Sequence, residues 1–342
     1  MKHVPISRVA LLLTLLTCTL YGTRQAASTE KQVNTQADLL TASFLVLGEK
    51  AQSRSAAEWL QLLSDMRKDG ITEVIIQWLQ YDQSPDEYLT YLKKILAASR
   101  QVEMKVVVGL SMSSDWWTSR RMSERFLEQE YQKTIGIADQ AHRHLKDHPG
   151  FVGWYIPFEL EAQPLDLSKQ QRLTLFYRKV SRHLKRLSPQ SFVAISGYKQ
   201  SSLPEQFNAA QWWQELLRST DIQRLYFQDG YGVHRESPLA TSNQLLAELE
   251  RKEVTKTNHL WVVIEAFQEV GSQPSNEKNF RAVPASINRL CKQIRQARAL
   301  GLPITLYSYD DYLYSQDSSE AIELLRQWRV SNGCRSTSQL FH

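Results

Sequence analysis

From Thr41 onward the chain alternates between two hydrophobic rhythms, one short and continuous, the other spaced at helical period. The continuous runs are TASFLVLG from Thr41, TEVIIQW from Thr72, MKVVVGLS from Met104 and FVGWYIPFE from Phe151. They go on with SFVAISGY from Ser191, DIQRLYFQDG from Asp221, HLWVVIEAF from His259 and LPITLYSYDD from Leu302. Rich in Val, Ile and aromatic residues and bounded by Gly or polar clusters, they predict strands buried on both faces. Between them apolar residues recur at i, i+3, i+4 and i+7, as in Trp59, Leu62, Leu63 and Met66. The same stripe runs through Leu173, Phe176, Tyr177, Val180 and Leu184, through Ile287, Leu290, Cys291 and Ile294, and through Ala321, Leu324, Leu325 and Trp328. Each stripe is one face of an amphipathic helix laid on a sheet. Gly70 and Gly301 fall just past helix ends, where a left-handed residue commonly stops a helix.

Eight strand-then-helix units follow one another with no Pro/Gly/Ser linker, which predicts a single (β/α)8 TIM barrel of the α/β class over residues 41–330. A short linker at 28–40 and a tail at 331–342 flank it. The competing open, doubly wound sheet usually has fewer strands and often a glycine turn for phosphate, and no G-x-G-x-x-G occurs here.

Residues 1–27 differ in kind. Lys2 and Arg8 precede an apolar run from Val9 to Leu20, and Ala26, Ala27 and Ser28 follow, which reads as a secretory signal peptide. The run is shorter than the about 20 apolar residues of a spanning helix. The mature chain is therefore expected without a transmembrane helix, in the periplasm or secreted. Lipoprotein anchoring through Cys18 is the weaker expectation, because Thr17 is unfavourable just before the cysteine. Without Lys2, Arg8 and Arg24 the balance is 38 basic against 36 acidic side chains, so the pI near 9.0 carries little argument for a nucleic-acid partner. Cys291 and Cys334 lie in no C-x-x-C or metal-ligand spacing. Two readings stand for them, a disulfide in an oxidising compartment or two thiols. Neither a metal nor a cofactor is expected, and with no coiled-coil pattern a monomer is.

A barrel of this kind carries its active site at the C-terminal ends of its strands. Polar residues collect there: Gln77 and Trp78 after the second strand, Glu159 and Glu161 at the fourth, Gln228 and Asp229 at the sixth, Glu265 at the seventh, and Asp310 and Asp311 at the eighth. Carboxylates on strands four and seven face each other across a barrel mouth. Hydrolysis of a glycosidic bond needs such a pair, one acid to protonate the leaving oxygen and a second carboxylate to attack or to activate water. Glu159 and Glu265 are the candidates, Glu159 as acid/base and Glu265 as nucleophile or base, with Glu161 the rival on strand four. Asp229 is placed to bind a sugar hydroxyl or to orient the acid. Aromatic residues for stacking on sugar C–H faces are plentiful: Trp78, Trp116, Trp117, Tyr155, Tyr198, Tyr231, Trp261, Tyr307 and Tyr309. Trp212-Trp213, at a helix start, reads as structural.

Other chemistries find less. His142, His144 and His148 stand at i, i+2 and i+6 of a helix, do not share a face and are expected in solvent, whereas His234 follows strand six near the mouth. No G-x-S-x-G, H-E-x-x-H or phosphate loop is present.

GWYIPFE ending at Glu159, FQDGYG from Phe227 and WVVIEAF from Trp261, with GITEVIIQW from Gly70 and VVVGLS from Val106, resemble the bacterial domain-of-unknown-function family numbered 4434. The resemblance covers nearly all of the mature chain in order. It implies a glycoside-hydrolase-like barrel acting on a polysaccharide or glycan, with Glu159, Asp229 and Glu265 as site residues. The strand-four and strand-seven placement is similar to that of the large retaining glycosidase clan, which usually has Asn before its acid/base Glu. Phe158 stands there in this chain, so retention and inversion both stay open. The leading expectation is an exported glycosidase; the alternative is a non-catalytic carbohydrate-binding barrel serving exopolysaccharide assembly or export.

Overall fold

The eight continuous runs are the eight staves of a closed parallel barrel. They are β1 (Leu40–Leu45), β2 (Glu73–Ile76), β3 (Lys105–Gly109), β4 (Phe151–Ala162), β5 (Phe192–Lys199), β6 (Arg224–Gln228), β7 (His259–Glu265) and β8 (Ile304–Tyr307). Each pairs with the next, and β8 closes the ring on β1 with Leu40 opposite Ile304. The computed structural model describes residues 40–82, 87–118, 123–199, 204, 206–233, 244–249, 259–270, 281–316 and 318–335. The expected signal peptide, Cys18, the linker up to residue 39, His234 and the end of the tail lie outside these residues, and Leu40 already belongs to β1.

Helices wrap the barrel: α1 (Ala56–Lys68), α2 (Tyr88–Gln101), α3 (Glu124–Leu145), α4 (Leu167–Leu187), α5 (Ala209–Arg218), α6 (Ile287–Ala299) and α7 (Ser319–Val330). Their starts are chemically marked. Ser55 caps α1 in a reciprocal box with Glu58, and Ser123, Asp166, Asn208, Ser286 and Ser318 each accept a backbone N–H at the start of their helix. Gly70 and Gly301 stop α1 and α6 at φ +94° and +69°, a region costly for any residue with a Cβ.

Side chains divide into two layers by the two-residue period of the strands. Ala42, Phe44, Ile75, Val107, Tyr155, Ala194, Tyr226 and Val263 fill the barrel interior. The alternate positions meet the helical stripes outside, where Trp59, Leu62, Leu63, Met66 and the other stripe residues are buried. Trp212 and Trp213 belong to this outer core, as expected. The Cys291 and Cys334 sulfurs are bonded, Cα to Cα 5.1 Å, tying α6 to the turn that follows α7. Among the described residues no helix is long and apolar enough to cross a membrane.

Three details depart from the sequence reading. Strand β6 stops at Gln228, because Gly230 at φ +68° turns the chain, so Asp229 opens a loop. The eighth run ends in a short helix, Tyr309–Tyr312, begun when Ser308 accepts from the Asp311 N–H. His148 lies beyond the end of α3 and is half-buried rather than solvated; its ring bonds Leu96 O at 2.9 Å and accepts from Gly150 N–H at 3.1 Å.

Candidate active site

Strand parity brings the two candidate carboxylates to one place. Gln228 shares the inward face of Tyr226, and Glu265 that of Val263, two residues further up each strand. Glu159 comes up four residues beyond the inward Tyr155, past an irregularity in the pairing of β4 with β5. Glu159 and Glu265 line a single cavity of about 160 Å³ together with Phe44, Gln228, Val233, Val263, Phe267 and Tyr307. Glu161, two residues on, sits opposite Tyr198 and is not part of that lining.

Glu265 is only 4 % exposed. One of its oxygens accepts the Gly232 N–H at 2.6 Å, where the loop after β6 crosses over it. Only glycine fits at that crossing, since a Cβ on residue 232 would stand 2.6 Å from the Phe267 carbonyl oxygen. Burial, and then the negative charge of Asp229, push the Glu265 carboxyl well above the ordinary carboxylate range; the N–H groups of Gly232 and Val233 and the guanidinium of Arg289 pull the other way without prevailing. A buried carboxyl that keeps its proton near neutral pH is a group able to take part in proton transfer.

Asp229 is equally buried, at 1 % exposure, and its partners are all N–H donors. Oδ1 accepts from the backbone of Tyr231 and of Glu265, both at 3.3 Å, and Oδ2 accepts from Gln293 Nε2 at 2.5 Å. Burial raises this carboxyl also, while those donors hold it down. Both carboxyl oxygens of Asp229 are thus turned to the protein, one to the Tyr231 and Glu265 N–H groups and the other to Gln293.

The aromatic candidates separate by depth. Tyr307 lines the cavity, its hydroxyl donating to Gln77 Oε1 at 3.0 Å and its ring beside Phe44 and Phe267. Trp78 is partly buried against Tyr81, Tyr198 is half-buried at the end of β5, and Trp117 is 37 % exposed on the turn after β3. The others are corrected. Trp116 is fully enclosed by Phe158, Phe176 and Tyr177, and its indole N–H donates to the Glu159 carbonyl at 2.8 Å, so it braces the strand that carries Glu159 instead of stacking on a ligand. Tyr155 lies within the barrel, its hydroxyl 2.6 Å from Ser196 Oγ. Trp261 stands near the start of β7, opposite Tyr226 and over the Arg224 guanidinium, at the end of the barrel away from the cavity. Tyr309 turns into the helix layer, where its hydroxyl donates to Asp69. Asp310 is bound by both outer nitrogens of Arg54, at 2.6 Å each.

Two polar residues of the site went unread in the sequence. Arg289 and Gln293 lie one turn apart on α6, outside the barrel, yet Gln293 is 1 % exposed and Arg289 donates to the Phe267 carbonyl from beneath the loop. The signal available was a Gln falling on the buried side of an otherwise apolar stripe. Among the described residues no group of three or more His, Cys, Asp or Glu is placed to hold a metal.

Several solved structures of similar architecture are named as glycosidases. A proposed alpha-L-fucosidase of Bacteroides thetaiotaomicron superposes with a TM-score of 0.68 at 18 % identity, covering 87 % of this chain and 94 % of that one. The endo-1,4-beta-mannanase of Eisenia fetida gives 0.56 at 12 %, over 87 % and 91 %. The intracellular xylanase of Thermoanaerobacterium saccharolyticum gives 0.51 at 11 %, over 82 % and 89 %. At these identities the likeness is one of fold. The uncharacterized protein YbcH of Escherichia coli K12 is 25 % identical over 187 residues, which are 52 % of this chain and 60 % of YbcH. The model of the family described as Domain of unknown function (DUF4434) matches residues 41–320, and the chain belongs to that family.

Proposed function

We propose that the protein is a glycoside hydrolase that cleaves a bacterial polysaccharide or glycan with Glu159 and Glu265. One observation carries this reading: two carboxyl side chains, from strands four and seven, line the same cavity at the C-terminal mouth of a (β/α)8 barrel. One carboxyl protonates the glycosidic oxygen as the bond to the anomeric carbon breaks, and the other attacks that carbon or takes a proton from the water that does. The rings of Phe44, Phe267 and Tyr307 offer apolar faces to the sugar, and the Gln228 amide offers a polar partner. The similar structures named as glycosidases support the class of reaction. Export is supported by the leader-like first 27 residues and by the Cys291–Cys334 bond, which suits an oxidising compartment.

The test is release of reducing ends from a panel of bacterial glycans. Glu159→Gln and Glu265→Gln should each lower the rate by at least about 10²-fold. A double variant as active as the parent would end the hydrolase reading; glycan binding with no product after long incubation would replace it with a binding barrel. The pH–rate profile assigns the roles. A rate that rises with pH as Glu265 loses its proton marks it as the attacking group or base, and a rate that falls marks it as the proton donor.

A further inference from the structure

We propose that Asp229, latched to Gln293 and opposed by Arg289, is a positioning residue that fixes the orientation and proton occupancy of Glu265, so that one turn of α6 outside the barrel governs the site. The inference rests on reading Glu265 as a reacting carboxyl, though its test does not need turnover.

The geometry is a relay of contacts. Asp229 Oδ1 accepts the N–H of Glu265 itself and the N–H of Tyr231, so it holds both the strand end and the loop that crosses above. The next N–H of that loop, Gly232, reaches Glu265 Oε2, and Gly232 O accepts from Glu269 N–H at 2.8 Å, which closes the loop onto the far side of β7. Displacing Asp229 therefore loosens Glu265 from two directions. Asp229 is itself held from outside the barrel by Gln293 Nε2, on the shortest bond of the group at 2.5 Å. The other amide atom, Gln293 Oε1, is buried with no hydrogen-bond partner among the described residues, and so is Nη1 of Arg289. Such atoms cost free energy inside a protein, so the pair is not placed for stability alone.

Charge follows the same lines. Facing Glu265 are Asp229 from the loop after β6, Arg289 from α6, Tyr312 from the helix after β8, and Glu159 across the cavity, and Tyr231 of that loop lies under the Arg289 guanidinium. Asp229 is the nearby anion and Arg289 the nearby cation, and they act on Glu265 with opposite sign. Three N–H donors on Asp229 favour its ionised form against its burial, and among the described residues no acceptor takes its proton.

Two substitutions separate charge from shape. Asp229→Asn keeps the acceptor for Tyr231 and Glu265, and Gln293 can turn its amide so that the unpartnered Oε1 receives the new N–H₂. Arg289→Met removes the cation and keeps an unbranched chain. In protein labelled with ¹³C at the Glu carboxyls, with the Glu265 signal identified by its loss in Glu265→Gln, Asp229→Asn should lower the Glu265 titration midpoint by at least about one pH unit. Arg289→Met should raise it, and opposite shifts cannot both come from a loosened fold. If neither variant moves the midpoint, or both move it the same way, the proposal is overturned. Opposite shifts in a protein that hydrolyses no glycan would uphold it while removing only the hydrolase reading.

Discussion

Two carboxyl groups are buried to the same degree at opposite ends of this barrel, and their surroundings could hardly differ more. At the N-terminal end Glu73, 5 % exposed, bonds Arg224 Nη1 at 2.5 Å, and that guanidinium is sandwiched by Phe192 and Trp261 and donates to Tyr226 as well. At the C-terminal end Glu265 has a second acid as neighbour, and Arg289, the nearby cation, donates to the Phe267 carbonyl. The floor is a charge pair with its desolvation offset by contact. The mouth leaves a carboxyl only partly compensated, which a fold tolerates only where something else is gained. Burial alone therefore says nothing about role; the sign of the neighbouring charge does.

The comparison breaks most visibly at the floor. Glu73→Gln strips Arg224 of its counter-charge inside the barrel and should cost about 3–5 kcal/mol, read as a lower urea midpoint. Replacing both partners, Glu73→Leu with Arg224→Met, should recover most of that loss, since a matched apolar pair carries no desolvation penalty. Glycan hydrolysis per folded molecule should be unchanged in both, because the pair stands at the far end from the cavity. Equal losses in the single and double variants would mean that the ion pair does more than neutralise itself.

Trp116 and Trp117 sharpen the same contrast between holding and meeting a ligand. Trp116→Ala empties a sealed site under Glu159 and should cost about 3 kcal/mol of stability. Trp117→Ala, at 37 % exposure, should leave the melting temperature within about 2 °C of the parent and act on KM for a glycan instead. Calorimetric melts and Michaelis curves on the two variants check this, and a KM effect at Trp116 with none at Trp117 would reverse the assignment.

The sequence carried the barrel and the carboxylate pair because both follow from local rules. Strand runs and helical stripes are read within ten residues, and the inward parity of Val263 and Glu265 needs nothing beyond the two-residue period. What needed the third dimension was depth and direction. Trp261 and Glu265 are both inward residues of β7, and the register against β6 puts Trp261 on the floor and Glu265 at the mouth. Trp116 and Trp117 are neighbours in one short 3-10 turn, and its twist buries the first and exposes the second. Tyr309 follows the eighth strand directly, and the helix at Tyr309–Tyr312 turns its hydroxyl to Asp69, away from the mouth. Gln293 was out of reach, since its partner Asp229 is 64 residues away and on another element.

The smallest expected effect bears most directly on the mouth. The Glu265 carboxyl is raised from its ordinary 4.5 to about 8 in the folded protein. The sign follows from linkage. Below about pH 4.5 both folded and unfolded chains hold this proton, and the contribution to stability is at its full value. As pH rises the unfolded chain releases the proton first, so stability is lost progressively until the folded carboxyl ionises near 8, and is flat above that. Glu265→Gln keeps an acceptor for the Gly232 N–H and removes the titration. The variant should match the parent in melting temperature at pH 4.5 and exceed it by at least about 2 °C at pH 8. A constant difference across that range would mean that Glu265 ionises as freely in the folded barrel as in the unfolded chain, and the mouth would then be as well compensated as the floor.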